Sequence, residues 1–214
     1  MEGNWNRLHD IPVSINAPGS QREDIMTIFL DRDGTINRKR PEDDYVKTWR
    51  EFEFLPGALD GLRRLAATGA RMVVVTNQRG IARGRMTEAD VADVHARMLA
   101  AVRDAGGRID AIYYCPHEAG ACECRKPLTG LFERARIDFP DIDFADSLVV
   151  GDSIVDMAAA SRLGCGAVLI ASGERASAIL EAAAGQGIRV DVCAESLLEL
   201  AGVLPTRKAR SPVR

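Results

Sequence analysis

Ile25-Met26-Thr27-Ile28-Phe29-Leu30-Asp31-Arg32-Asp33-Gly34-Thr35 is the stretch on which the fold turns. Its first six residues make a β-prone apolar run without alternation, the pattern of a strand covered on both faces, and the run stops at an acid. Two later runs end in the same manner. Met72-Val73-Val74-Val75 leads into Thr76-Asn77, and Ser147-Leu148-Val149-Val150 into Gly151-Asp152. Strands buried on both faces belong to parallel sheets, and such sheets bind ligands beyond the carboxyl ends of their strands. Asp31, Asp33, Thr76, Asn77 and Asp152 therefore stand where a ligand would be held.

Working outward, amphipathic segments separate these runs. Pro56-Gly57-Ala58 opens a helix through about Thr68, with Leu59, Leu62 and Leu65 on one face and Gly69 as the stop. Further helices are expected from Thr87 to about Ala105, where Thr87-Glu88-Ala89-Asp90 forms a cap, from Leu128 to about Ile137, at Ile154–Leu163, near Ala176–Ala184 and at Ser196–Val203. Strands are expected at 109–114 and 167–171, with a short extended piece at 190–192. The alternation predicts an α/β fold, a Rossmann-like parallel sheet with helices on both faces. Residues 1–24 read as an N-terminal arm, 25–204 as the domain, 38–54 as an excursion above the sheet, and 205–214 as a disordered basic tail.

The chain has 214 residues, 46% of them hydrophobic, enough for one domain with a core that needs no disulfides. Its 28 basic and 31 acidic side chains leave a net charge of −3, which gives no attraction to nucleic acid. No apolar run reaches the roughly 18–20 residues of a membrane span, and the first 24 residues lack the apolar core of a secretory leader. Three of the five cysteines crowd into residues 115–124, which suggests a reduced, cytoplasmic setting and a metal rather than a disulfide framework.

Asp31 and Asp33, two residues apart at a strand end, repel one another and call for a divalent cation; oxygen-only ligands favour Mg²⁺. Asp152 and Asp156 could supply the remaining carboxylates. The bland alternative is that Asp-x-Asp-Gly merely caps the next segment. Cys115-Pro116-His117 and Cys122-Glu123-Cys124 offer four soft ligands on a short loop, a set suited to tetrahedral Zn²⁺ with no open position and hence to a structural site. Buried free thiols beside a surface histidine are the alternative. Cys165 and Cys193 read as packing residues.

Asp31-x-Asp33-Gly34-Thr35, Thr76-Asn77, Lys126-Pro127 and Gly151-Asp152-x-x-x-Asp156 resemble, in order, the four motifs of the haloacid dehalogenase superfamily. The resemblance runs from about residue 25 to 172. It implies a phosphatase in which Asp31 attacks phosphorus, Asp33 is the general acid and base, Thr76 and Lys126 bind the phosphoryl oxygens, and Asp31, Asp33, Asp152 and Asp156 hold Mg²⁺. The gaps Asn37–Met72 and Thr76–Lys126 leave no room for a folded cap domain. The segments around Thr76-Asn77-Gln78, Gly80-Ile81-Ala82-Arg83-Gly84, Tyr113-Tyr114-Cys115-Pro116-His117 and Cys124-Arg125-Lys126-Pro127 resemble the D-glycero-D-manno-heptose-1,7-bisphosphate 7-phosphatases. That likeness implies that Asn77, Gln78 and Arg79 hold a small sugar bisphosphate, that Arg125 recognises its second phosphate, and that a flap of Glu42, Asp43, Asp44 and Tyr45 reaches over the sugar. An uncapped enzyme shares little surface, so a monomer is expected. Histidinol-phosphate phosphatase is the nearest alternative, kept open by Glu118 and Glu123. A zinc-stabilised binding module without catalysis is another.

Overall fold

The computed structural model describes residues 26–41 and 44–204. The expected arm at 1–24, the basic tail at 205–214, and Glu42 and Asp43 of the flap lie outside the described residues. Twelve elements carry the fold, in the order β1 (Thr27–Leu30), α1 (Ala58–Ala67), β2 (Arg71–Asn77), α2 (Glu88–Asp104), β3 (Ala111–Cys115), α3 (Gly130–Asp138), β4 (Leu148–Gly151), α4 (Ile154–Leu163), β5 (Gly166–Ile170), α5 (Gly173–Gly185), β6 (Val192–Ala194) and α6 (Leu197–Val203). The strands form one sheet in the order β3-β2-β1-β4-β5-β6, and every pairing is parallel.

Alternate residues of the apolar runs feed two cores. Ile28, Leu30, Met72, Val74 and Val150 face α1, α2 and α6 through Leu62, Leu65, Met98 and Leu197. Phe29, Val73, Val75 and Val149 face α3 and α4 through Phe132, Met157 and Ala160. Both faces are dry, which is why the strands read as unbroken apolar runs. The chain steps outward from β1 to β2 and β3, then returns to place β4 on the other side of β1. This reversal opens a crevice beyond the ends of β1 and β4, and Asp31 and Asp152 follow those two strands directly.

Several boundaries differ from the sequence expectation. β3 starts at Ala111, because the Asp110 carboxylate instead accepts from the Met72 N–H at 2.8 Å, and it extends to Cys115, which pairs with Asn77. α3 starts at Gly130, where the helix packs against the loop before it: a Cβ there would lie 2.6 Å from the Glu123 carbonyl oxygen. The extended piece at 190–192 is displaced to β6, since the Asp191 carboxylate takes the Ala167 N–H at 2.9 Å. The excursion after β1 closes on itself, with Arg38 donating to the Glu53 carbonyl at 2.7 Å and Trp49 stacked on Phe52. No separate folded cap exists among the described residues, and none of their helices is long and apolar enough to cross a membrane.

Phe132 is fully buried, with its ring 5.1 Å from that of Phe29 in an edge-on contact. Phe132→Ala is expected to cost about 3–5 kcal/mol of stability, read as a lower midpoint at unchanged slope in urea unfolding.

Candidate active site

Asp31 leaves β1 with its N–H bonded to the Val150 carbonyl at 2.8 Å, so the ends of β1 and β4 are locked together. The Arg32 carbonyl then accepts from the N–H groups of Thr35, Ile36 and Asn37 and turns the chain sharply. Two glycines make space for carboxylates here. A Cβ on Gly34, which has φ +98°, would sit 2.2 Å from Asp152 Oδ2, and one on Gly151 would sit 2.2 Å from Asp156 Cγ.

Lys126 binds this cluster together. It is buried, and its ammonium donates to Asp31 Oδ1 at 2.8 Å and to Asp156 Oδ1 at 2.7 Å. The second Asp156 oxygen accepts from Ser153 Oγ at 2.6 Å. Asn77 grips the lysine's own backbone: its Oδ1 accepts from the Lys126 N–H at 3.0 Å and its Nδ2 donates to the Lys126 carbonyl at 3.1 Å. Asn77 thus positions the lysine.

The two aspartates of the first motif have opposite surroundings. Burial pushes Asp31 up to about 7; Lys126 pulls it down, while Asp156, Asp152 and Asp33 repel its charge. Burial would raise Asp33 as well, but the Arg32 guanidinium and hydrogen bonds from Asn37, Arg32 and Gln78 hold it below the usual carboxylate range. Asp152 is raised by burial, opposed by Lys39 and Arg175, both of which contact its carboxylate. Burial alone would lower Lys126, yet Asp156 and Asp31 hold it above its ordinary value.

A divalent cation fits this donor set. Asp31, Asp152 and Asp156 bring carboxylate oxygens within 4.8 Å of one another, and the buried Oδ1 of Asp152 has no hydrogen-bond partner. The Asp33 side chain, expected among the ligands, stands outside the cluster, because its oxygens accept from Arg32, from Asn37 at 2.9 Å and from Gln78 at 2.9 Å.

Thr76 is buried at the end of β2, and its hydroxyl oxygen accepts from Gln78 Nε2 at 3.0 Å, which leaves its O–H to donate elsewhere. Gln78 was expected to hold a ligand; its side chain is buried and bonded to Asp33 and Thr76 instead. Arg79 and Arg83 both reach Glu118 on the cysteine loop. Arg125 keeps a buried Nη1 with no hydrogen-bond partner. Of the flap, Asp44 pairs with Arg40 and Lys47, and the Tyr45 ring packs so close to Gly80 that a Cβ there would lie 2.8 Å away. The structure adds neighbours without a sequence signal: Lys39 and Arg175 beside Asp152, and Asn37 on Asp33. With Gly34, Arg40, Pro41 and Leu55, the first two line a cavity of about 520 Å³ open to Asp152.

Cys115, His117, Cys122 and Cys124 also converge. Cys115 Sγ lies 3.5 Å from Cys122 Sγ and 3.6 Å from His117 Nδ1, and Cys124 Sγ lies 3.2 Å from Cys122 Sγ and 3.3 Å from His117 Nδ1. Ligand sulfurs about 2.3 Å from a tetrahedral zinc stand roughly 3.8 Å apart, so the four atoms surround a space of that kind. Cys115 ends β3 and Lys126 follows Cys124 by two residues, which ties this loop to the carboxylate cluster.

A buried carboxylate, neutralised by one lysine at the reversal point of a parallel sheet and flanked by a second acid on the next turn, defines a haloacid dehalogenase-like hydrolase. A family profile described as HAD-hydrolase-like matches residues 123–200. A D-glycero-beta-D-manno-heptose-1,7-bisphosphate 7-phosphatase of Salmonella typhi is 43% identical over 169 residues, covering 75% of this chain and 88% of that protein. A D-glycero-alpha-D-manno-heptose-1,7-bisphosphate 7-phosphatase of Mycobacterium bovis is 40% identical over 175 residues, 81% of this chain and 88% of that protein. The crystal structure of D,D-heptose 1.7-bisphosphate phosphatase from B. bronchiseptica, complexed with magnesium and phosphate, has a TM-score of 0.73 at 36% identity and covers 83% of this chain and 97% of its own. The chain belongs to the D-glycero-D-manno-heptose-1,7-bisphosphate 7-phosphatase family.

Asp31 binds its proton more tightly in the folded protein than in the unfolded chain. Its contribution to metal-free stability is therefore lost as pH rises from the ordinary carboxyl value of 3.8 through about 7. A cation must displace that proton. The Mg²⁺-induced rise in Tm is expected to be larger at about pH 8 than at about pH 6, measured by thermal unfolding with Mg²⁺ and with EDTA; equal rises would contradict this carboxyl chemistry.

Proposed function

We propose that this chain hydrolyses the C7 phosphate of a D-glycero-D-manno-heptose 1,7-bisphosphate, releasing heptose 1-phosphate and inorganic phosphate through an aspartyl-phosphate on Asp31. The carrying observation is the contact of Lys126 with both Asp31 and Asp156 inside a buried carboxylate cluster, in a chain whose relatives bear that name. Lys126 holds one Asp31 oxygen and leaves the other to attack phosphorus in line with the leaving group. The Asp31–phosphorus bond forms as the phosphorus–sugar oxygen bond breaks, and Asp33 gives its proton to the departing oxygen. That proton arrives with the substrate, since a phosphate monoester with a second pKa of about 6 reaches the site in part as its monoanion. Thr76 and Lys126 donate to the phosphoryl oxygens. In the second half Asp33, ionised and held by three side chains, takes a proton from water as the water attacks phosphorus and frees Asp31.

Mg²⁺ would be held by the Asp31, Asp152 and Asp156 carboxylates, with Asp33 beside them, and supplies charge neutralisation of the phosphoryl oxygens when bound. Arg125, with its unpartnered buried Nη1, is the group we assign to the phosphate that is not transferred. We assign Arg79 and the flap of Glu42, Asp43, Asp44 and Tyr45 to the sugar. The alpha- and beta-named relatives match at 40% and 43%, so the proposal covers the heptose bisphosphate without choice of anomer. The histidinol-phosphate alternative loses support, because Glu118, which could have met a cationic amine, is paired with Arg79 and Arg83. The reduced thiols and uncapped site support a cytoplasmic monomer.

Heptose 1,7-bisphosphate, histidinol phosphate and p-nitrophenyl phosphate assayed side by side test the reading. The first is expected to lead in kcat/KM by roughly a hundredfold, and similar values for all three would sink the heptose assignment. Asp31→Asn is expected to lower turnover by about a thousandfold or more while the protein stays folded.

Zn²⁺ on Cys115, His117, Cys122 and Cys124 would be a structural ion, since four protein ligands leave no place for substrate. Its role is to stiffen the loop that presents Arg125 and Lys126. Cys124→Ser is expected to release metal, measured by elemental analysis, and to lower Tm and activity together, with added Mg²⁺ restoring neither.

A further inference from the structure

Arg32 lies between the two catalytic carboxylates in sequence, and its side chain is buried. It has no exposed surface. Its Nη2 meets Asp33 at 2.9–3.0 Å and Gln78 Oε1 at 3.3 Å, its Nε has no partner, and its Nη1 lies 3.0 Å from Nε2 of His95. His95 comes from the inner face of α2, 63 residues further along the chain; it is only 7% exposed, and its ring meets Tyr114 edge-on.

A guanidinium has donors and no acceptor. The Nε2 atom of His95 must therefore present its lone pair, which makes the imidazole neutral with its proton on Nδ1. We infer that His95 is a positioning residue for phosphoryl transfer: its unprotonated Nε2 fixes the buried Arg32 guanidinium, and that guanidinium in turn sets the orientation of the Asp33 carboxylate. The inference rests on the reading of Asp33 as the acid–base group.

The group is planar, so pinning Nη1 from one side fixes the direction in which Nη2 meets Asp33 on the other. Removing the acceptor would leave a second buried N–H of Arg32 unpaired beside the unpartnered Nε. The guanidinium would then swing to recover a bond, taking Asp33 with it. Asp33 must reach the leaving oxygen in one half-reaction and a water in the other, and a displacement of about 1 Å in such a group costs up to a hundredfold in rate. Burial and the charge of Arg32 push the His95 pKa down to about 3, with only a small opposing pull from Asp33, so the ring remains an acceptor across the neutral range.

The comparison is between His95→Phe, which fills the space without an acceptor, and His95→Gln, whose Oε1 can accept. The phenylalanine variant is expected to lose about tenfold or more in kcat with KM within about twofold, and the glutamine variant to recover kcat to within about threefold of wild type. A merely structural role would lower the fraction of folded enzyme and would not separate the two replacements. Equal losses in both variants, or unchanged kcat in the phenylalanine variant, would overturn the inference. Running both on p-nitrophenyl phosphate and on heptose bisphosphate keeps the two questions apart: a wild type active only on the aryl ester defeats the substrate reading, while the phenylalanine–glutamine contrast still decides the role of His95. Nitrogen-15 NMR of the wild-type imidazoles, assigned by loss of a signal in the glutamine variant, gives a check that needs no stable phenylalanine variant. An unprotonated Nε2 and a protonated Nδ1 are expected from about pH 5 to pH 8, and a protonated Nε2 would refute the assignment.

Discussion

One ammonium shared by two carboxylates governs the arrangement of this molecule. Asp31, Asp152 and Asp156 come together because β1 and β4 are neighbours, and three acids in so small a volume repel one another. Lys126 compensates two of them from a position that is itself buried, so each partner stabilises the charged form of the other. The third carboxylate, Asp152, is left to the partly exposed cations Lys39 and Arg175, whose attraction water screens more strongly. Asp152 also keeps a buried oxygen without a hydrogen-bond partner, which leaves an acceptor free for a cation.

The lysine reaches that position from far away. It enters on the loop after β3, and two devices restrain the loop. Asn77, at the end of β2, pairs with both backbone polar groups of Lys126, and the thiol–imidazole cluster begins at the last residue of β3. A side-chain amide used in this manner does for an irregular segment what a sheet ladder does for a strand, since it satisfies a donor and an acceptor with one fixed geometry. The loop that brings the Lys126 ammonium to Asp31 is thereby tied to the ends of two strands.

Much of this was legible from residue patterns. Unbroken apolar runs marked the buried strands, and the polar residue ending each run marked the crevice, because a doubly covered sheet leaves polar groups nowhere else to go. The ligand types and spacing of Cys115, His117, Cys122 and Cys124 were equally direct, since the set is nearly local. What could not be read were partnerships between side chains distant in sequence. Asn77 and Gln78 follow Thr76 and look like ligand contacts, yet the chain turns one onto the Lys126 backbone and the other onto Asp33. Arg32 carries no signal in the Asp31-x-Asp33 pattern, and its meeting with His95 across 63 residues leaves no periodic trace. The start of α3 slipped by two residues for a similar reason: close packing of Gly130 against Glu123 depends on the fold of the loop before it.

Asp31 and Asp33 are two residues apart and chemically identical, so the division of labour proposed for them has to come from surroundings. Burial, joined by repulsion from Asp156, Asp152 and Asp33, raises Asp31 to about 7; Asp33 is lowered by the Arg32 guanidinium and the donors around it. In the proposed reaction a cation would relieve the repulsion on the raised group and leave it an oxygen free to attack phosphorus. The lowered group returns readily to its ionised form after it has given up a proton, as a base for water must. Pairs of acids pushed apart by environment commonly mark the separate roles in acid–base chemistry. The intervening residue contributes to this separation, for the Arg32 guanidinium bonds to Asp33 and, with Asn37 and Gln78, keeps it low. A neutral residue at that position would leave Asp33 to Asn37 and Gln78 alone, and the difference between the two carboxyls would narrow.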